Sequence, residues 1–197
     1  MNLLVILNPA LYAYVDRVEY NVNHVERQML EEAKQDTAQF APLYERYLPR
    51  IYGYCLRRTE NREEAEDLCS QVFIRAIQGV HTYKGGMVSA WLFRIAHNVV
   101  ANHYRSKRKT ISIEQVDLPS EIHVGNDLEA EEDQRILAEI IHKLPEEKRN
   151  LLALMLDGGL TSDEVGEVLG KSAGAVRVEF HRIVKRLRKQ YRQVTGA

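Results

Sequence analysis

Hydrophobic residues recur at intervals of three and four along most of the chain, which is the period of an α-helix. No segment of useful length alternates between hydrophobic and polar residues as a half-buried strand does. The pattern therefore predicts an all-α protein. The first stripe of hydrophobic residues along the chain comprises Leu11, Val15, Val18, Val22, Val25 and Met29. It indicates a helix that packs on the body of the protein, and a helix that forms a dimer interface is the alternative.

Three further helices are predicted before residue 110. The first covers residues 40–55, and Pro49 should divide it into two short helices because proline cannot donate a backbone hydrogen bond. Asn61 and Glu64 have the spacing of a capping pair that begins the second helix, and the third begins near Ser89. The predicted buried residues of these two helices are Ala65, Leu68, Cys69, Val72, Phe73, Ala76 and Ile77, then Val88, Trp91, Leu92, Ile95, Ala96, Val99, Val100 and His103.

The most specific local motif is a helix-turn-helix between residues 160 and 189. Thr161 and Glu164 form a capping box that begins a short helix, and Gly170 can end it with a positive φ. Gly166 permits close packing, and Val176 begins the inner face of the last helix. The turn and the outer face of this helix offer Lys171, Ser172, Arg177, Val178, Glu179, His181, Arg182 and Lys185. This arrangement is typical of a recognition helix that binds DNA.

The formal charge of −1 conceals a strong segregation of charge along the chain. Residues 91–110 contain five basic residues and no acidic one, and residues 177–192 contain seven basic residues and one acidic. Between them, residues 111–147 contain eleven acidic residues and two basic ones. Overall neutrality is therefore compatible with a nucleic-acid partner, because two basic segments flank one acidic segment.

Enzymatic and metal chemistry find little support in the sequence. The two cysteines, Cys55 and Cys69, lack the CxxC spacing of a metal site and are interpreted as structural thiols in a reducing compartment. No phosphate-binding loop or nucleophile–base motif is visible, so no cofactor and no metal are expected. The apolar residues 1–15 are interrupted by Asn8 and Pro9 and are too short to span a membrane.

A polar ridge on the third helix is a second candidate for nucleic-acid contact. Arginine and asparagine match base edges and phosphates, although an ordinary solvated helix face is the alternative. The ridge and the basic segment that follows it consist of Arg94, Asn98, Asn102, Arg105, Lys107, Arg108 and Lys109. The loop HTYKGGM at residues 81–87 contains Tyr83 and Lys84, which suit either a plain surface loop or stacking on an unpaired base.

Five blocks in this sequence resemble the bacterial sigma-70 factors, and specifically their extracytoplasmic-function group. They are LYERYLPRIYGY (43–54), NREEAEDLCSQVFIRA (61–76), AWLFRIAHNVVANHYR (90–105), LPEEKRNLLAL (144–154) and LTSDEVGEVLGKSAGAVRVEFHRIVKRLRK (160–189). The resemblance implies two small helical domains, a sigma region 2-like bundle at 37–110 and a sigma region 4-like helix-turn-helix domain at 134–197. An N-terminal extension (1–36) precedes them, and an acidic linker (111–133) joins them.

The resemblance implies a cytoplasmic, non-enzymatic sigma factor that binds core RNA polymerase and directs promoter recognition and transcription initiation. Contacts to the polymerase β′ clamp would come from Glu66, Asp67, Ser70, Gln71 and Arg75. The −10 element would be bound by Tyr83, Lys84, Arg94, Asn98, Asn102, Arg105, Lys107, Arg108 and Lys109. The helix-turn-helix would recognise the −35 element and contact the β flap, and members of this family commonly have an anti-sigma partner.

Two departures from the family pattern affect these roles. Ser70-Gln71 stands where a Gln-Glu pair is usual, which implies a weaker or different clamp contact. In the recognition helix, Ala175 and Val178-Glu179 replace a Thr and a polar residue followed by Arg, which implies a distinct −35 preference. A stand-alone helix-turn-helix regulator, or a polymerase-binding adaptor that recognises no promoter, remain the alternative functions.

Overall fold

The computed structural model describes residues 19–59, 61–110 and 128–196. Within these ranges the chain forms eight α-helices and no strand. The helices are α1 (Glu19–Gln35), α2 (Ala41–Arg58), α3 (Arg62–Gln78), α4 (Val88–Thr110), α5 (Leu128–His142), α6 (Glu146–Leu156), α7 (Ser162–Leu169) and α8 (Ala173–Thr195). Short 3₁₀ turns at Thr37–Phe40 and Val80–Thr82 follow α1 and α3. The all-α prediction is confirmed, and the acidic linker lies largely outside the described residues.

Helix α1 packs on the body of the protein, as the sequence pattern indicated, but only part of the predicted stripe takes part in the packing. Val25 is 46% exposed, whereas Leu30 and Ala33 are buried in the core and Glu26 is buried beside them. Met29, another member of the predicted stripe, is partly buried and packs against the core. Within the described part of α1 the stripe is therefore wrong at Val25 and confirmed at Met29. Its first three members, Leu11 to Val18, and the side chain of Val22 lie outside what the structure describes.

The prediction that Pro49 divides α2 is also wrong, because α2 runs unbroken from Ala41 to Arg58. An internal proline costs about 3 kcal/mol. The residues on both sides of Pro49 bury their side chains in one core, including Leu43, Tyr47 and Ile51, and each such burial contributes about 2 kcal/mol. Shared burial therefore outweighs the lost backbone hydrogen bond.

Helix α3 begins at the predicted cap, since the amide of Glu64 donates to Asn61 Oδ1 at 2.7 Å. Cys55 and Cys69 are free thiols buried between α2 and α3, and burial raises the pKa of Cys55 to about 12 and of Cys69 to about 11. Ile77, predicted to be buried, is 37% exposed, because it lies at the edge of the buried face where α3 ends.

The helix-turn-helix forms as its motif predicts. Thr161 and Glu164 make both hydrogen bonds of a capping box at the start of α7, and Gly170 ends α7 with φ of 67°. A Cβ atom on Gly166 would lie 2.6 Å from the carbonyl oxygen of Lys171, so the turn requires glycine there. Val176 then begins the buried face of α8.

Candidate nucleic-acid interface

The outer face of α8 carries the basic surface that the helix-turn-helix motif predicts. Its inner residues are buried, among them Val176, Phe180 and Leu187. Exposed side chains on the outer face and the preceding turn are Lys171, Ser172, Arg177, Val178, His181, Arg182 and Lys185. Ser172 also caps α8, because its Oγ accepts from the amide of Ala175 at 3.3 Å. This face is accessible to a polyanion along its whole length.

Glu179 does not stand on this surface as an isolated negative charge. Lys171 Nζ lies 2.8 Å from Glu179 Oε2, and the two side chains are 36% and 27% exposed. The pair joins the turn to the second turn of α8. It therefore neutralises the charge that would otherwise face phosphates, and it ties Lys171 to a definite position.

The ridge of α4 is exposed, and its N-terminal member touches the C-terminal half of the chain. Arg94, Asn98, Asn102 and Arg105 all lie at the surface. Arg94 Nη2 donates to the backbone oxygen of Glu167 in α7 at 2.7 Å. Lys107, Arg108 and Lys109 belong to the last turns of α4, but their side chains lie outside the described residues.

The 81–87 loop presents Lys84 to solvent but buries Tyr83. The Tyr83 ring is 4% exposed and packs edge-on against Trp91 with centroids 5.7 Å apart. Its hydroxyl donates to the oxygen of Gly86 at 2.8 Å. In this conformation the buried Tyr83 side chain stabilises the loop, and its ring is not placed to stack on a base.

The outer face of α3 gathers the residues expected to contact polymerase. Glu66, Asp67, Ser70, Gln71 and Arg75 are all exposed on it. Two apolar side chains beside them were missed from the sequence, namely Ile74 at 55% and Tyr44 at 41% exposure. The signal was present for Ile74, which follows Ser70 by four residues and so shares its face. A polar face with an apolar centre suits binding to a protein better than binding to DNA.

The two halves of the described chain, which lie within residues 19–110 and 128–196, meet through an interface whose polar contacts no sequence motif indicated. Arg57 makes a two-pronged ion pair with Asp157, with N–O distances of 3.1 and 3.2 Å. Arg50 Nε donates to the oxygen of Gly158 at 2.8 Å. The remaining contacts include Arg58 with Glu146 at 3.3 Å, and Ser89 with Glu164. Arginine side chains of the first half thus bind carboxylates and backbone carbonyl oxygens of the second half.

A buried hydrogen-bond chain lies at the centre of this interface. Tyr54 Oη donates to Asn150 Oδ1 at 2.7 Å, and Asn150 Nδ2 lies 3.2 Å from His97 Nδ1. Burial, followed by the positive charge of Arg58, lowers the pKa of His97, while its hydrogen bond with Asn150 opposes this shift. The lowered pKa favours the neutral form of His97, whose ring lies beside the Asn150 amide between the two halves.

Neither a membrane span nor a metal cluster is found where the structure is described. None of the described helices is long and apolar enough to cross a bilayer. The same residues contain no group of three or more His, Cys, Asp or Glu side chains arranged to hold a metal ion.

Comparisons with known proteins agree on the class of molecule. Residues 43–110 match the model of Sigma-70 region 2, and residues 134–187 match that of Sigma-70 region 4. The chain is 31% identical over 157 residues to the ECF RNA polymerase sigma factor ShbA of Streptomyces griseus, covering 71% of this chain and 81% of that protein. It is 29% identical over 188 residues to SigW of Bacillus subtilis, covering 86% and 98%.

A further relative, BldN of Streptomyces coelicolor, is 29% identical over 171 residues, which is 81% of this chain but only 63% of the length of BldN. The fold is similar to CnrH, solved in complex with the cytosolic domain of CnrY, with a TM-score of 0.62, 20% identity and coverage of 86% and 96%. It is also similar to RpoE of Bartonella quintana, with a TM-score of 0.59, 18% identity and coverage of 80% and 97%. The chain therefore belongs to the sigma-70 family, in its extracytoplasmic-function group, whose members direct RNA polymerase to promoters.

Proposed function

We propose that this sigma factor contacts core RNA polymerase through α3 and recognises its promoter at two separate places. The 81–87 loop and α4 bind the −10 element, and the outer face of α8 binds the −35 element. The observation that supports this division most directly is the basic outer face of α8, exposed over its length while the inner face is buried. The chain acts in the cytoplasm by binding and without catalysis of its own.

The proposed domain division follows the same lines. Residues 37–110 form the sigma region 2-like domain, residues 134–197 the region 4-like domain, and residues 111–133 the linker between them. Residues 1–36 form an extension whose described part, α1, packs on the first domain through Leu30 and Ala33.

Contacts with polymerase are assigned to two surfaces. The face of α3 with Ser70 and Gln71 binds the β′ clamp, and exposed Ile74 supplies apolar area at its centre. The region 4-like domain engages the β flap. An anti-sigma protein is a further proposed partner, in keeping with the anti-sigma factor NepR in the solved complex of similar fold.

Promoter binding requires the two halves to separate. The positions that name the −10 and −35 elements differ by about 25 base pairs, which at roughly 3.4 Å per base pair is roughly 85 Å along B-form DNA. A compact chain of this length is only about 40 Å across. In the described arrangement Arg94 of the ridge contacts Glu167 of the helix-turn-helix at 2.7 Å. We therefore assign this arrangement to the factor free of promoter DNA.

The −35 assignment carries a specific electrostatic expectation. Beside the Lys171–Glu179 pair, Arg177, Arg182 and Lys185 are exposed cations on the outer face. Arginine can bind guanine with two hydrogen bonds, and lysine contributes to phosphate contact. Val178, at 50% exposure, suits contact with a thymine methyl group.

Run-off transcription with purified core polymerase and a randomised promoter library tests the function as a whole. Transcripts from defined start sites are expected. Specific duplex binding without polymerase would instead indicate a stand-alone regulator, and polymerase binding without initiation would indicate an adaptor.

The −10 assignment is tested separately with Arg94→Ala combined with Asn98→Ala. The double variant should lose strand opening, measured by permanganate reactivity of unpaired thymines, because the ridge no longer holds the melted strand. Its affinity for core polymerase should stay unchanged, since neither side chain lies on α3. Weakened polymerase affinity with normal strand opening would assign the ridge to polymerase instead.

A further inference from the structure

Helix α1 touches the 81–87 loop at two residues and the start of α4 at a third, all from one of its faces. Arg27 Nε donates to the oxygen of Gly86 at 2.8 Å. Lys34 Nζ lies 3.3 Å from the backbone carbonyl oxygen of Tyr83 and 5.5 Å from the centre of the Tyr83 ring. Asn23 Oδ1 accepts from the amide of Val88, the first residue of α4, at 3.4 Å. These contacts join residues 49 to 65 positions apart, so no local pattern could have indicated them.

Each contact acts on a backbone group that the loop needs to keep its shape. Gly85 and Gly86 have φ of 105° and 100°, which only glycine adopts without strain. Two glycines in sequence make this backbone intrinsically mobile. The oxygen of Gly86 accepts from both Arg27 and the Tyr83 hydroxyl, so its two lone pairs are occupied. The contacts with α1 therefore stabilise a loop conformation that the two glycines alone would leave mobile.

The contact with Val88 completes the start of α4. The first amide groups of an α-helix have no acceptor within the helix, and a side chain must usually provide one. Here the acceptor comes from Asn23 of another helix, not from the residue before the helix. The relative position of loop and ridge therefore depends on α1.

Helix α1 is itself held firmly enough to serve as a support. Glu26 is buried and accepts hydrogen bonds from Tyr47 Oη at 2.8 Å and from Arg46 Nη1 at 3.1 Å. Burial, followed by the negative charge of Glu26, raises the pKa of Tyr47, which therefore remains a donor. Leu30 and Ala33 are buried on the same side of α1.

We infer that α1 positions the 81–87 loop for −10 recognition, with Arg27, Lys34 and Asn23 as positioning residues that touch no DNA themselves. This inference rests on the proposed −10 role of the loop. The side of the loop facing α1 is fixed, while His81, Thr82 and Lys84 remain exposed to meet a base. Selectivity at the −10 element then depends on residues in the N-terminal extension. The family resemblance assigns no promoter-binding residue to that extension.

The test compares Arg27→Ala combined with Lys34→Ala against the native chain, each assembled with core polymerase. Transcription is measured from a library randomised at the −10 element behind one constant −35 element, and from the converse library. The double variant should lose about tenfold in discrimination at one or more −10 positions, which is what one base pair commonly contributes. Discrimination at the −35 element and affinity for core polymerase should remain within about twofold.

Two controls separate positioning from general damage. Arg46→Ala weakens the attachment of α1 to the body of the protein without touching the loop, and it should reduce −10 selectivity by less than the double variant does. Arg27→Lys retains a donor for the backbone oxygen of Gly86. When it replaces Arg27→Ala in the double variant, it should restore much of the −10 selectivity. Amide hydrogen exchange in the free protein should accelerate at residues 82–88 in the double variant, but not in α3.

The outcomes distinguish this inference from the function on which it rests. Native −10 selectivity and native exchange at residues 82–88 in the double variant would overturn the positioning role, while the −10 role of the loop would stand. If Lys84→Ala combined with His81→Ala also leaves −10 selectivity intact, the −10 role of the loop fails, and positioning fails with it. Equal losses of −10 selectivity in Arg46→Ala and in the double variant would show that α1 acts only through stability.

Discussion

The Arg57–Asp157 pair allows charge and burial to be separated at the interface between the two halves. The carboxylate is 12% exposed and the guanidinium 31%. Burial raises the pKa of Asp157, and the charge and hydrogen bonds of Arg57 lower it without cancelling that rise. The cost of burying this carboxylate is therefore larger than the stabilisation that Arg57 returns. Removing the two partners should have unequal effects on the free energy of unfolding.

Arg57→Ala leaves the carboxylate buried without its partner. For a fully buried charge this would cost about 3–5 kcal/mol. Because water reaches this pair, we expect about 1–3 kcal/mol of destabilisation. Asp157→Asn removes the charge but keeps an oxygen that can accept from Arg57, so it should change stability by less than about 1 kcal/mol.

The pH dependence has a definite sign. A carboxyl group whose pKa is raised in the folded state stabilises the fold at low pH and loses that contribution as the pH rises through the raised pKa. Without Arg57, the pKa of Asp157 rises further. The deficit of Arg57→Ala should therefore be largest at neutral pH and shrink in acid. The deficit of Asp157→Asn should instead fall as the pH rises, because the native chain loses the contribution of Asp157 and asparagine does not titrate.

Urea unfolding followed by far-UV circular dichroism, at pH 7 and at pH 5, measures these differences. Each variant is compared with the native chain at the same pH, so that the other carboxyl groups cancel. The double variant completes a thermodynamic cycle. Equal destabilisation by both single variants, or a deficit of Arg57→Ala that does not depend on pH, would refute the reasoning.

Two further predictions concern the helix-turn-helix. Gly166→Ala should destabilise the chain by about 1–3 kcal/mol, because the new Cβ would lie 2.6 Å from a backbone oxygen. Gly174→Ala, where a Cβ meets nothing within 4 Å, should be neutral or stabilising, and thermal unfolding compares the two. Arg177→Ala and Arg182→Ala should each weaken promoter binding by holoenzyme by roughly 1–3 kcal/mol if they contact bases. Unchanged promoter affinity in both would remove them from the −35 surface.

Local features of the fold followed from the sequence alone. The capping box of Thr161 and Glu164, the positive φ of Gly170 and the cap at Asn61 are all formed between residues a few positions apart. Their geometry depends on the local backbone, so the sequence contains the whole signal. The basic outer face of α8 followed in the same way, because helical period assigns each residue to a side.

Features that depend on distant packing were decided only by the tertiary structure. Pro49 lies within a continuous helix because both sides of α2 share one core, and Val25 faces solvent because the core meets a different side of α1. The Arg57–Asp157 pair joins residues 100 positions apart, and Arg27 contacts Gly86 across 59. Pairing at such distances leaves no periodic trace in the sequence, since it depends on how helices dock and not on how each one forms.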